Sequence, residues 1–309
     1  MTNGEAEAPS PVASDSFQTA DRVNAAKTRF KRLLLEHNGE ASHPDVQTAM
    51  ENLINLASQR RNHPDEWSPA QDKNLNSGRW KTVTTPPFPG KLPKQEDDDD
   101  ERTKFTLGRM SFGMFKPTNS ICAVNHIINV VKQLELNNDV NEEPKEGADQ
   151  INSSWEQAYS FEVSMDILVP KGGSTIKLPA KLVTNGVCEP KDATKLGIKF
   201  TGGSLIPDFD LSKEENSTLV ATWKEVFENA ISKEDSQQSY FGMVKTYLVH
   251  TLMKWMMGLD PPVDREDFTQ TYVITRPYVG FADIMYIDDD LRITKGNRGT
   301  IVVVERLKE

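Results

Sequence analysis

The sequence predicts a mainly β (α+β) protein: an antiparallel β-barrel preceded by a helical hairpin, with a helical insertion before the last strands. Three observations lead there. Apolar residues recur at helical spacing as far as about residue 62, and from Trp80 the period drops to two. Ten short alternating segments then follow along the chain, divided by turn-rich stretches. A meander of that length tends to close on itself, because closure removes exposed strand edges.

Residues 1–16 read as a short disordered tail. Acids precede the first basic residue, Arg22, and neither a secretory signal nor an Arg-rich transit peptide is visible. Residues 17–309 read as one domain. Phe17, Val23, Phe30, Leu33 and Leu34 mark an amphipathic helix over 17–37, with Lys27, Arg29, Lys31 and Arg32 elsewhere on the turn. Asn38-Gly39 stops it. Pro44 opens a second helix, since a proline at the first helical position loses no hydrogen bond. Val46, Met50, Leu53, Ile54 and Ala57 form its stripe, which completes a hairpin over 17–62.

Barrel segments are expected over 75–205 and 268–309. The strand candidates are 80–85, 103–112, 120–131, 155–169, 175–187, 196–201, 270–275, 281–287, 291–295 and 300–307. The clearest is 155–169, where Tyr159, Phe161, Val163, Met165 and Ile167 alternate with polar residues. Pro86-Pro87, Lys171-Gly172-Gly173, Asn185-Gly186 and Gly202-Gly203 read as turns, and Gly296–Gly299 as the last hairpin turn. The insertion occupies 212–259, with one helix over 212–232 and a more apolar one over 239–259.

Charge and chemistry narrow the function. The chain of 309 residues has 36 Lys+Arg against 46 Asp+Glu, a net charge of −10. The six acids of Glu96–Glu101 form a run expected to be a solvated loop, and without them the net charge is −4. No basic excess points to nucleic acid. Two cysteines are too few for a disulfide framework. The five histidines include no H-E-x-x-H pair, and no P-loop or nucleophile elbow is present. Cys122 and His126 are expected on one face of a strand but too far apart to act together. No catalytic residues, metal or cofactor are expected.

Two segments carry a resemblance. The first is Leu75-Asn76-Ser77-Gly78-Arg79-Trp80 with Thr84-Thr85. The second is Tyr286-Ile287-Asp288-Asp289-Asp290-Leu291-Arg292-Ile293-Thr294-Lys295-Gly296-Asn297-Arg298-Gly299-Thr300. They resemble the opening and closing signatures of the plastid lipid-associated protein (PAP)/fibrillin family, in the right order, over about residues 25–307. That resemblance implies a lipocalin-like barrel and non-enzymatic binding of a lipid, prenylquinone or carotenoid. It also implies a plastid location at thylakoids or plastoglobules; a cytoplasmic location is the alternative, as no transit peptide is visible.

Within that frame the candidate ligand contacts are Trp80, Tyr159, Phe161, Val163, Met165, Tyr286 and Arg292. Leu291 and Ile293 should face one side of the final hairpin, and Arg292 and Thr294 the other. Arg292 either holds a polar head group at the barrel end or only pairs with an aspartate or backbone carbonyls. Trp80 is either a ligand wall or a plug under the barrel floor. The lumen itself is either a cavity for an apolar small molecule or filled by its own side chains. Phe241, Leu248, Leu252 and Trp255 fall on one stripe of the 239–259 helix, which is either buried or laid on a lipid surface.

Overall fold

The computed structural model describes residues 11–59, 67–94, 100–134, 156–237, 263–264, 267–277 and 279–308. Helix α1 (Pro11–Glu36) and helix α2 (Pro44–Gln59) form the expected hairpin. The helix covers residues 11–16, which had read as tail. Val23, Ala26, Phe30 and Leu34 of α1 are buried against Val46, Ala49, Met50 and Leu53 of α2, as three- and four-residue spacing on facing helices requires. Between them Asn38 and Gly39 adopt positive φ. A side chain at Gly39 would strike the Val83 carbonyl, so the turn sits close on the barrel.

The strands are β1 (Gly78–Thr82), β2 (Lys104–Thr106), β3 (Ile121–Gln133), β4 (Gln157–Lys171), β5 (Ser174–Pro190) and β6 (Lys195–Pro207). They continue as β7 (Val263–Asp264), β8 (Gln270–Val273), β9 (Val279–Ile287), β10 (Leu291–Gly296) and β11 (Ile301–Arg306). Their hydrogen-bonded order runs β5-β4-β3-β1-β11-β10-β9-β6, and β6 pairs back with β5. This closes an antiparallel barrel of eight strands among the described residues. The mainly β fold with helical additions therefore stands as the period-two segments predict.

The barrel is lopsided. β3, β4, β5 and β6 have 13 to 17 residues against 5 in β1, and their far halves leave the closed ring. There β2 replaces β1 beside β3, and β8 with β7 replaces β9 beside β6. The switch on β6 falls at Gly202-Gly203: residues 195–199 pair with β9, and residues 202–205 with β8. These glycines lie inside a strand and do not form a turn. Asn185-Gly186 likewise lies inside β5, at a bulge opposite β6. Small, conformationally permissive residues thus stand where β6 changes partner and where its register with β5 slips, which is a common use of glycine within strands.

Two further readings change. The segment 103–112 forms only the short β2 before the chain coils into a single helical turn, α4 (Leu107–Met110). On β3 a bulge between Val124 and His126 resets the alternation, so Cys122 is buried while His126 is exposed. A short α3 (Lys73–Asn76) precedes β1, and the insertion begins with a 3₁₀ turn (Glu214–Asn216) and continues as helix α5 (Ser217–Gln237). The 239–259 helix, with Phe241, Leu248, Leu252 and Trp255, lies outside the described residues. Among those described, no helix is long and apolar enough to cross a membrane, which says nothing about strands.

Three apolar clusters result. Phe105, Phe115, Met165, Leu178, Trp223 and Phe227 fill the far half, under α5. The helical hairpin covers the outer face of β9–β11 through Tyr286, Leu291, Ile293 and Val303. Trp80, Leu196, Ile284 and Val304 pack inside the closed ring. The acidic run is partly built into the structure: Asp100, its fifth member, is hydrogen-bonded to Arg102, which also reaches Asp166 at 2.5 Å. Hydrogen bonds from Arg102 hold the Asp100 carboxyl far below the usual carboxylate range.

Candidate ligand site in the barrel lumen

The floor of the lumen is built first. Asp72 caps α3 by accepting from the Asn74 and Leu75 backbone N–H groups at 3.0 and 2.9 Å. That one-turn helix presents the Asn76 carbonyl, which accepts from the Trp80 indole Nε1 at 3.0 Å. Trp80 is fully buried at 0 % exposure, and its ring closes this end. Arg306 lies over the same ring, 4.0 Å from the centroid. Its guanidinium is committed: Nε and Nη2 donate to the carbonyls of Asp289 and Leu75, each at 2.6 Å, and Nη1 to the Ser77 carbonyl. Gly78, at φ +117, leaves the space that Arg306 occupies. Trp80 thus plugs the floor.

Above the floor is a cavity of about 150 Å³. Its walls come from seven strands of the ring: Asn129 and Val131 on β3, Tyr159 and Phe161 on β4, Cys188 on β5, Leu196 and Ile198 on β6, Ala282 on β9, Arg292 and Thr294 on β10, and Val302 and Val304 on β11. Gly296, the last residue of β10, and Pro87 border it at the end away from Trp80. The wall is mostly apolar, with few polar groups. The Tyr159 hydroxyl donates to Asn129 Oδ1 at 2.7 Å, and burial pushes its ionisation up. A broader depression of about 460 Å³ lies outside the ring between the hairpin turn and the β10–β11 turn, lined by small residues such as Ser42, Thr84 and Thr300.

Arg292 is the unusual member. It is 7 % exposed, and its guanidinium lies 4.7 Å from the Trp80 ring centroid. Among the described residues it has neither a carboxylate nor a hydrogen-bond acceptor for its side chain, and the charged group that acts on it is the like-charged Arg306. Desolvation pulls its pKa down to about 10, so it still carries its charge at neutral pH. The carbonyl-pairing role conceivable for Arg292 is filled by Arg306 instead.

The expected contacts separate into three groups. Trp80, Tyr159, Phe161 and Arg292 meet around the lumen. Val163 and Met165 share their strand face but lie beyond the ring, in the cluster under α5, because β1 and β9 end before that level. Tyr286 faces outward beneath the helical hairpin, because β9 and β10 slip in register between Ile293 and Thr294. Cys188, Thr294, Ile198 and Val302 also line the lumen. Their even or odd positions along each strand carried that signal, but the strand partners were needed to read it.

The final acidic turn works structurally. Asp288 Oδ1 accepts from the backbone N–H groups of Asp290 and Leu291, and Oδ2 accepts from Lys27 Nζ at 2.9 Å. Lys27 also reaches Asp290 at 2.5 Å, and Lys31 reaches Glu305 at 2.8 Å. Two of the helix's basic residues are therefore turned onto the barrel. At the hairpin turn, His37 and His43 stack at 3.5 Å beside Asp45, and the three possible ligand atoms lie within 4.8 Å of one another. His43 Nδ1 already accepts from the Asp45 backbone N–H.

Chemically, the lumen offers a mostly apolar wall, a few polar groups and one buried guanidinium. Burial pushes the Cys188 thiol up to about 11 and the Cys122 thiol up to about 12, which leaves neither as a thiolate near neutral pH. No family model, curated protein or solved structure matches the chain.

Proposed function

We propose that this protein binds a small apolar molecule non-enzymatically in its barrel lumen, for storage, transport or delivery. The observation that carries the reading is the cavity of about 150 Å³ inside a closed antiparallel ring, walled by alternate residues of seven strands. An eight-stranded barrel has room either for its own side chains or for one small ligand. A dry engineered cavity of about 150 Å³ takes a molecule the size of benzene. The space therefore suits one end of a lipid or prenylquinone, whose remaining tail runs out past Pro87 and Gly296. A carotenoid held whole is too large. The resemblance of residues 75–85 and 286–300 to the PAP/fibrillin signatures supports the same role, at a plastid membrane or lipid droplet.

A second reading has its own observation. Trp80 and Arg306 seal one end and much of the ring is filled by side chains, as in a module that only binds other proteins. Native mass spectrometry after gentle purification separates the two. A co-purifying acyl or prenyl compound is the expected result. An empty barrel carrying a stoichiometric protein partner would overturn the carrier role.

A further inference from the structure

A guanidinium is among the most costly groups to bury without a partner, and proteins normally answer it with a carboxylate or several carbonyls. Here the ring does neither. Arg306, on the next strand at the same floor, shows how such a group is ordinarily satisfied: three backbone carbonyls receive it. Arg292 has only the π face of Trp80 on one side and the cavity on the other. Two acids of the neighbouring turn are spent elsewhere: Asp288 and Asp290 face Lys27, outside the ring. The lumen thus holds an uncompensated positive charge at its inner end and apolar walls towards its mouth.

We infer that the guest is an acidic amphiphile, a monocarboxylate whose head group lies on Arg292 at the floor and whose apolar body passes Phe161, Ile198 and Val302 towards the mouth. This rests on the lumen being a binding site and names the chemistry of its ligand. A carboxylate matches the planar fork of arginine with two parallel hydrogen bonds. A single free cation calls for a single negative charge. Trp80 holds the guanidinium from behind, so its N–H groups need no rearrangement when the anion arrives. A head group with a few carbons fills 150 Å³, and a longer chain emerges from the ring.

The test uses the full chain and two probes of equal length, octanoate and 1-octanol, titrated by calorimetry. Octanoate should bind at least tenfold more tightly. In Arg292→Met that preference should disappear, with 1-octanol affinity retained and, because an unpaired buried charge is gone, a raised melting temperature. Arg292→Lys should keep part of the preference. Equal affinity of the two probes for the native chain would overturn the carboxylate inference while leaving the lumen as an apolar site. Binding of neither probe would overturn the lumen reading itself. The comparison on the native chain stands even if a variant fails to fold.

Discussion

Lys27 shows how far a single side chain can bind one part of this molecule to another. It leaves the polar side of α1 and ends between Asp288 and Asp290, more than 260 residues away in sequence. Desolvation alone would pull its ammonium down; hydrogen bonds to Asp290 and Asp288 outweigh that and leave it raised above its ordinary value. Burial would push Asp288 up, but bonds from Tyr286, Lys27 and two backbone N–H groups outweigh that and leave it lowered. A lowered carboxyl contributes stability that is fully present above its ordinary value of 3.8 and is lost as pH falls through the folded value. The raised ammonium contributes stability that is present below 10.5 and lost as pH rises through its folded value. Lys27→Met should therefore cost about 1–2 kcal/mol at neutral pH, since both carboxylates are partly exposed. Thermal melts from pH 7 to pH 3 should show a shallower acid decline in the variant than in the native chain.

At the level of elements, the hairpin was the most legible part of the sequence. Its two stripes obey one period throughout, and Pro44 and Asn38-Gly39 punctuate it with residues whose backbone preferences are strong. Phe30 sits at its centre with no exposure. Phe30→Ala should cost about 3–5 kcal/mol in urea unfolding, by lost burial and an unfilled hole. A loss below about 1 kcal/mol would mean that the hairpin is a loose appendage. The strands were legible in number and in alternation, and less so in extent. Three bulges, near Asn125, Asn185 and Ile293, each shift the in–out parity by one residue. Local composition does not announce such a slip, because the cause is the partner strand. That is why Tyr286 read as a lumen contact; Val163 and Met165 keep the lumen face of β4 and fall outside only because β1 and β9 stop short of their level. Arg292 was chosen on its motif and its alternation with Ile293, both local properties.

Across the whole molecule, closure depends on pairings between residues far apart in the chain, such as Trp80 with Arg306 and Ile198 with Gly280. A change of period predicts that a sheet forms and that it curls, but the lopsided outline comes from how unequal strands share neighbours. The four long strands β3–β6 belong both to the ring and to the cluster under α5, so each compartment supplies half of the other's walls. The cysteines happen to divide between them: Cys188 lines the lumen on β5, and Cys122 lies under α5 on β3. Cys188 stands on a lumen that opens past Pro87 and Gly296, whereas Cys122 is shut in under α5, so a small reagent has a path to the first and none to the second until strands part. The chain thus carries two internal clocks. Pulse alkylation read by mass spectrometry should give Cys188 the faster one. Equal rates would show that both rooms open only when the strands held in common unzip, and would leave the lumen without an entrance of its own.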